Sequence, residues 1–291
     1  MKLILCCLSG FLIFIQSFTL SAQDRESQVW EFGIWGGAAN YVGDIRPAVT
    51  ESYNIFSPAV GIFNRINFHK RFAIKTGFNY GIIRGDDQYS SSPFERSRNL
   101  SFHSEIFEIA TQLEFNFFNY VLRSNKYYFS PYLFVGIAGF HFNPKAELNA
   151  QTYELQPLGT EGQLYPEASG NEPYKLYQMS IPYGGGFKYN LSKNFTLCFE
   201  IGYRGTFTDY LDDISTTYQN PSLVGSGNNQ AIAIALADRS GEVSNEPIGI
   251  PGRQRGDSKN NDAYIFTGIS ISYTFTKLLC PPPSNSIFKN R

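Results

Sequence analysis

Eight stretches of roughly ten residues, each alternating apolar side chains with small or polar ones, are separated by connections that run long, short, long, short, long, short, long. Few folds accept that pattern, because a strand sends successive side chains to opposite faces. In the last stretch Ile265, Thr267, Ile269, Ile271, Tyr273 and Phe275 alternate with Gly268, Ser270, Ser272 and Thr274. Over residues 195–204, Phe195, Leu197, Phe199, Ile201 and Tyr203 oppose Thr196, Cys198, Glu200, Gly202 and Arg204. Slipping that strand by one residue would carry Glu200 to the apolar side, so its register is strongly specified. Phe107, Ile109, Thr111, Leu113, Phe115 and Phe117 likewise oppose Glu108, Gln112, Glu114 and Asn116. Phe72, Ile74, Phe78, Tyr80 and Ile82 oppose Lys75, Gly77, Asn79 and Gly81. Weaker alternation predicts four more strands, over residues 30–37, 58–68, 127–142, where both faces are apolar, and 178–190, where Gly184, Gly185 and Gly186 interrupt.

Charged strand residues share a face with glycine and serine, which reverses the arrangement of a soluble ligand-binding barrel, whose apolar side chains point inward. The fold expected is therefore all-β, an eight-stranded antiparallel transmembrane β-barrel with long extracellular loops. The abundant tyrosines suit the membrane interface, where a ring sits among headgroups with its polar tip wet. Short connections at residues 69–71, 119–126 and 191–194 alternate with long ones at 38–57, 84–101, 143–177 and 208–262. Outer-membrane barrels place tight turns in the periplasm, so both termini are expected there.

Lys2, an apolar run over residues 3–20 and Ser21-Ala22-Gln23 have the form of a secretory signal peptide, with cleavage expected after Ala22. That divides the chain into a signal peptide (1–22), the barrel (23–276) and a periplasmic tail (277–291) stiffened by Pro281, Pro282 and Pro283. Cys6 and Cys7 leave with the signal, and Cys198 and Cys280 are expected as two unpaired thiols rather than a bridge. A net charge of −1 provides no footprint for nucleic acid.

Glu31, Arg65, Lys75, Glu108, Glu114, Lys188, Glu200 and Arg204 face inward in this register. An eight-stranded barrel is just wide enough to be packed with side chains. These residues are thus expected as structural ion pairs between neighbouring strands, with Glu200 and Arg204 linked, and not as the lining of a pore. No hydrolase, phosphate-binding or metal-ligand motif occurs, so no enzyme activity, cofactor or metal is expected. A rim catalytic site would have to use His103, His141, Asp209, Asp212 and Asp213, but the register puts His103 and His141 opposite each other with their rings towards lipid, as headgroup-boundary residues. Three carboxylates in residues 209–213 match the oxygen preference of calcium. The sharp-turn glycine and following glutamate of a calcium loop are missing, which favours a solvated loop base pairing with lysine or arginine. Residues 220–262 are rich in Gly, Asn, Ser and Pro, with an apolar stretch at 231–237 suited to a short helix or strand, and read as a partner-contacting or disordered loop.

The segment Trp30-Glu31-Phe32-Gly33-Ile34-Trp35-Gly36-Gly37-Ala38-Ala39-Asn40-Tyr41-Val42-Gly43-Asp44 resembles the opening of the PorG family, small outer-membrane barrels of the type IX secretion system in Bacteroidota. Thr208-Asp209-Tyr210-Leu211-Asp212-Asp213-Ile214-Ser215 resembles that family's segment after the penultimate strand. The resemblance implies a non-enzymatic component that associates with the periplasmic ring of a lipoprotein and its partner and supports export of proteins bearing a C-terminal sorting domain. In some relatives the machinery also drives gliding. Asn40, Tyr41, Gly43 and Asp44 are expected just past the first strand as a structural turn, with Asp44 accepting backbone hydrogen bonds. The tail and the turn at 69–71 are the surfaces expected to reach the ring. Other expected partners are outer-membrane lipids and the barrel-assembly machinery, whose terminal-strand signal Thr267-Gly268-x-x-Ile271-x-Tyr273 resembles. The alternative is a stand-alone barrel that acts in adhesion or protection through loops 143–177 and 208–262, or as a rim hydrolase.

Overall fold

The computed structural model describes residues 29–45, 57–244 and 247–275. The expected signal peptide, the expected tail and Cys280 lie outside the described residues. Ten strands follow in order: β1 (Val29–Val42), β2 (Ser57–His69), β3 (Phe72–Asp86), β4 (Ser101–Asn116), β5 (Phe129–His141), β6 (Pro144–Leu148), β7 (Gln151–Glu154), β8 (Tyr177–Asn190), β9 (Phe195–Thr206) and β10 (Ala263–Phe275). Eight of them form a closed antiparallel ladder, β1-β2-β3-β4-β5-β8-β9-β10, with β10 returning to β1 from Trp30↔Phe275 to Val42↔Ala263. The hairpin β6–β7 extends the wall beyond it through the pair His103↔Lys145. Short helices α1 (Pro93–Arg98), α2 (Pro166–Ser169) and α3 (Gln230–Ala237) lie in the long connections, α3 over the apolar stretch.

Closure leaves no free edge among the eight wall strands, so their backbone groups pair with each other rather than with water, with a break between β5 and β8 at Gly136 and Ile137, where Pro182 brings no amide hydrogen. Outside, Ile34, Ile62, Ile109, Val135, Ile137 and Ile269 are each more than half exposed, part of an apolar band that continues around the barrel. Ordinary water-soluble surfaces do not sustain a band of that extent. The wall strands run 12 to 16 residues, longer than the roughly 9–11 needed to cross hydrocarbon.

Two expectations change here. Asn40 and Tyr41 lie inside β1, not past it, because the ladder with β10 continues to Val42 and buries Ala39 and Tyr41 among the loops. The glycines of β8 do not interrupt it, since Gly184 and Gly186 face a lumen occupied by aromatic rings. A Cβ on Gly186 would collide with the Phe199 carbonyl of β9 and stand 3.0 Å from the Tyr132 ring, and one on Gly184 would collide with the Ile201 carbonyl and stand 2.9 Å from the Phe134 ring. The apolar inner face of β5 is explained by the same rings, which fill the interior.

Candidate functional site

Polar side chains gather in two places, the lumen and a cap formed where the long connections meet. In the lumen Arg65 contacts Glu31 at 3.4 Å and Glu114 at 2.9 Å, and the Lys188 ammonium donates to Glu114 at 2.5 Å. Glu31 also accepts from Asn67 and Ser272, each at 2.6 Å. Lys75 pairs with Glu200 at 2.7 Å, and the Tyr132 hydroxyl donates to the same carboxylate. Arg204 lies 3.4 Å from Glu108, which accepts from Asn79 and Tyr264 as well.

All eight inward charges are engaged, but the pairing differs from the expected one. Only Glu31 and Arg65 are opposed on adjacent strands; the other pairs cross the lumen. Glu200 and Arg204 are not bonded to each other. Four residues along a strand span about 13 Å, so each reaches across instead, Glu200 to β3 and Arg204 to β4. Between these pairs remains a cavity of about 20 Å³ lined by Trp35, Lys75, Asn79, Gln112, Glu200 and Arg204, room for roughly one water. Cys198 is buried beside Arg65, its Sγ 3.7 Å from the guanidinium.

The cap is assembled from the two segments singled out by resemblance. The Tyr41 hydroxyl lies 2.7 Å from Asp212 Oδ2 and 2.7 Å from Asp262 Oδ1, and accepts from the Asp44 amide at 3.0 Å. Gly43 is required beside it, because a Cβ there would collide with Asp262 and the Tyr41 ring. Asp44 accepts from the Asp257 amide at 2.8 Å. Asp213 adopts the left-handed region, φ 68°, which an aspartate tolerates. Its carboxylate accepts from Thr160 at 2.5 Å and Tyr174 at 2.7 Å, while Asp212 accepts from Ile45 and Ile214 amides. Leu211, just before them, is fully buried, and Tyr210 stacks on Tyr174 with ring centroids 4.8 Å apart.

The expected solvated acidic loop is thus a buried one. Asp212 and Asp213 accept from hydroxyls and amides rather than from lysine or arginine side chains, because the long connection folds back into the barrel mouth over an apolar cluster with Ile45, Phe102, Phe142, Leu211 and Leu236. Asp209 has neither carboxylate oxygen in a well-formed hydrogen bond, and burial pushes it up to about 8, with only a poorly aligned Ser215 hydroxyl opposing and Asp44, Glu161 and Asp257 adding to the rise. Burial also raises Asp213, to about 6 against the opposing charge of Arg255. Among the described residues no group of His, Cys, Asp or Glu converges as a metal site.

Two arginines absent from the sequence reading organise the cap. Arg98, delivered by α1 whose first turn is capped by Ser92, donates twice to Asp87 (2.7 and 2.8 Å) and once each to the backbone carbonyls of Asp44 and Arg255. Arg255 donates to Glu161 at 2.9 Å and to the Asp213 carbonyl at 2.7 Å. Glu161 also accepts from the Ser215 and Thr216 amides. No local motif announces these contacts, which join residues from four separate connections. His103 and His141 are not opposite each other: His141 pairs with Phe107 and packs on Tyr177, and His103 pairs with Lys145, because β5 enters the ladder four residues further along β4.

A family model described as a domain of unknown function, DUF6089, matches residues 9–231, and the chain belongs to that family. No curated protein matches it. Among solved structures, it is similar to Ail, the attachment invasion locus protein of Yersinia pestis, in complex with the heparin analogue sucrose octasulfate, at 11% identity over 85% of this chain and 99% of that one, with a TM-score of 0.38. Neisserial surface protein A is similar at 8% identity over 84% and 97%, TM-score 0.40. OprG from Pseudomonas aeruginosa is similar at 11% over 86% and 98%, TM-score 0.39. The barrel assignment rests on the closed ladder itself.

Proposed function

We propose that this DUF6089 protein is a non-enzymatic outer-membrane barrel that serves the type IX secretion apparatus as a structural and interaction component. In this reading it docks on the periplasmic ring of a lipoprotein and its partner and supports export of proteins with C-terminal sorting domains. The observation that carries a surface-based role is the charge-paired lumen, where each inward charge is spent on another and the cavity between Lys75, Glu200 and Arg204 has room for about one water. Such an interior offers neither an ion path nor a free acid–base pair. The two segments resembling the PorG family support the finer reading, since Tyr41 and Asp44 from one meet Asp212 from the other in a single cap. With short turns in the periplasm and long loops outside, a ring would be met by the short turns and residues 277–291, of which the turn at 69–71 and the tail are the surfaces this reading assigns to it.

The test is chemical crosslinking of the tagged protein in outer membranes, followed by identification of what co-purifies, in wild type and in chains shortened at residues 277–291 or in loop 143–177. Recovery of the ring lipoprotein with the full chain, and its loss with the shortened tail, is expected. A folded, abundant barrel that never recovers the ring, and whose function fails only on loop shortening, would overturn the reading in favour of a stand-alone surface barrel.

A further inference from the structure

The cap contains a hydrogen-bond count that ionised carboxylates cannot satisfy. Tyr41 carries one hydroxyl proton, yet its oxygen stands 2.7 Å from Asp212 Oδ2 and 2.7 Å from Asp262 Oδ1. One hydroxyl donates once. If both carboxyl groups were ionised, one acceptor oxygen would face the phenol oxygen with no hydrogen between them, inside a site where both aspartates are almost wholly buried. We propose that Asp262 holds a proton on Oδ1 and donates it to Tyr41, which in turn donates to an ionised Asp212, so that a single proton latches the last strand and the loop after β9 onto β1.

The partners of each oxygen decide which aspartate is protonated. Asp212 accepts three bonds, Oδ2 from Tyr41 and from the Ile45 amide at 3.2 Å and Oδ1 from the Ile214 amide at 2.9 Å, so a proton on the Oδ2 that faces Tyr41 would displace one of its two donors. Asp262 Oδ2 accepts from the Leu211 amide at 2.9 Å, whereas Oδ1 meets only Tyr41. Tyr41 is then complete, with one bond donated and two accepted, from Asp262 and from the Asp44 amide. Burial raises both carboxyls, which therefore hold a proton between them, and the hydrogen bonds place it. At Asp212 the charge of Asp44 adds to the rise, while the bonds from Tyr41 and Ile214 and the charge of Arg98, from the β3–β4 connection, oppose it. Asp212 and Asp209, from the connection after β9, disfavour an ionised Asp262, whose burial does so most. Asp44, from the connection after β1, is itself raised by burial, with the hydrogen bond from the Asp257 amide and the charge of Arg98 opposing the rise and the charges of Asp257 and Glu161 adding to it.

A group protonated in the closed cap and ionised in an opened one makes closure favourable at low pH. The advantage is lost as pH rises from the ordinary aspartate range through the raised value of the closed state, and is flat above it. The latch therefore loosens in alkali.

Two measurements on the full chain in bilayers test this. The first is infrared titration of wild type and Asp262→Asn, in which a protonated-carboxyl band present in wild type at neutral pH should be weaker in the variant. The second is hydrogen exchange at the Ile45, Leu211 and Ile214 amides from pH 5.5 to 9.5. Wild-type protection should fall by up to about tenfold per pH unit within the titration window. Asp262→Asn, whose amide can donate to Tyr41 and accept from Leu211, should keep protection with a weaker pH dependence. Asp212→Asn should lose protection at every pH, because it cannot accept three bonds. Equal behaviour of the two variants, no band difference at neutral pH, or saturable gain of protection on adding calcium at pH 7.5 would overturn the proposal, the last by putting a cation where the proton is placed. If Asp262→Asn does not fold, the infrared titration of Asp209→Asn, which removes the carboxyl pushed up to about 8, remains decisive: absence of a protonated-carboxyl band at neutral pH there would overturn the proposal.

Discussion

The lumen and the cap solve the same problem, burying charge, in opposite ways. In the lumen acids and bases meet at 2.5 to 3.4 Å, and each side chain's direction is set by the period of a paired strand. In the cap Asp44, Asp87, Glu161, Asp209, Asp212, Asp213 and Asp262 outnumber Arg98 and Arg255, and their direction is set by loops that have come together from distant parts of the chain. There, backbone amides, hydroxyls and raised carboxyl values take the place of counterions. The difference teaches that a β-wall makes salt bridges a matter of register, whereas a loop cap leaves its acids to be neutralised by protons. Lumen pairing should therefore set barrel stability, and cap acids should set how stability responds to pH.

The largest expected effect lies in the lumen. Glu114→Ala leaves Arg65 and Lys188 buried against each other, and should cost about 3–5 kcal/mol in denaturant unfolding of the refolded barrel. A loss under 1 kcal/mol would break the comparison at its strong end. Next comes Arg98→Met, which strips donors from Asp87 and from the carbonyls of Asp44 and Arg255. It should weaken the cap by about 1.5–3 kcal/mol, read as proteolysis of the long connections while the barrel stays folded.

A smaller effect sharpens the proton side. Asp209 is raised to about 8 when folded, so it keeps a proton that the unfolded chain releases above about 4. Its contribution is greatest at low pH, is lost as pH rises through about 8, and is flat beyond. Asp209→Asn should flatten the stability profile between those limits, and an unchanged slope would place the proton elsewhere. The smallest effect belongs to the lipid face, where the Thr76 and Thr111 hydroxyls lie 3.2 Å apart. Thr76→Val should cost about 0.6 kcal/mol or less, as hydrogen bonds in membranes commonly do.

Strand existence, facing and the inward charges were legible because a period of two is written in the residues themselves: Glu108, Glu114 and Glu200 betray the inner face wherever phenylalanine and isoleucine mark the outer one. Which charges pair was not legible, because strand tilt and lumen width, not sequence spacing, bring Lys75 to Glu200 and Arg204 to Glu108. β8 looked broken because glycine is a turn signal in water, while inside a barrel it makes room for Tyr132 and Phe134. The cap was legible in part. Asp44, Asp212 and Asp213 stood out as motif residues, but their burial depends on Arg98, Glu161, Arg255 and Asp262, which lie in polar stretches with no pattern of their own.

The central claim is that this barrel works through its surfaces and not through its lumen. Conductance of the purified protein across a planar bilayer tests it most directly. A filled, charge-paired interior predicts no stepwise current at neutral pH, and a current appearing only when Glu114 or Glu200 is replaced. Steady unitary conductance from the wild-type chain would contradict the account, because ions would be passing where Lys75, Glu200, Arg204 and Glu108 are bound to each other.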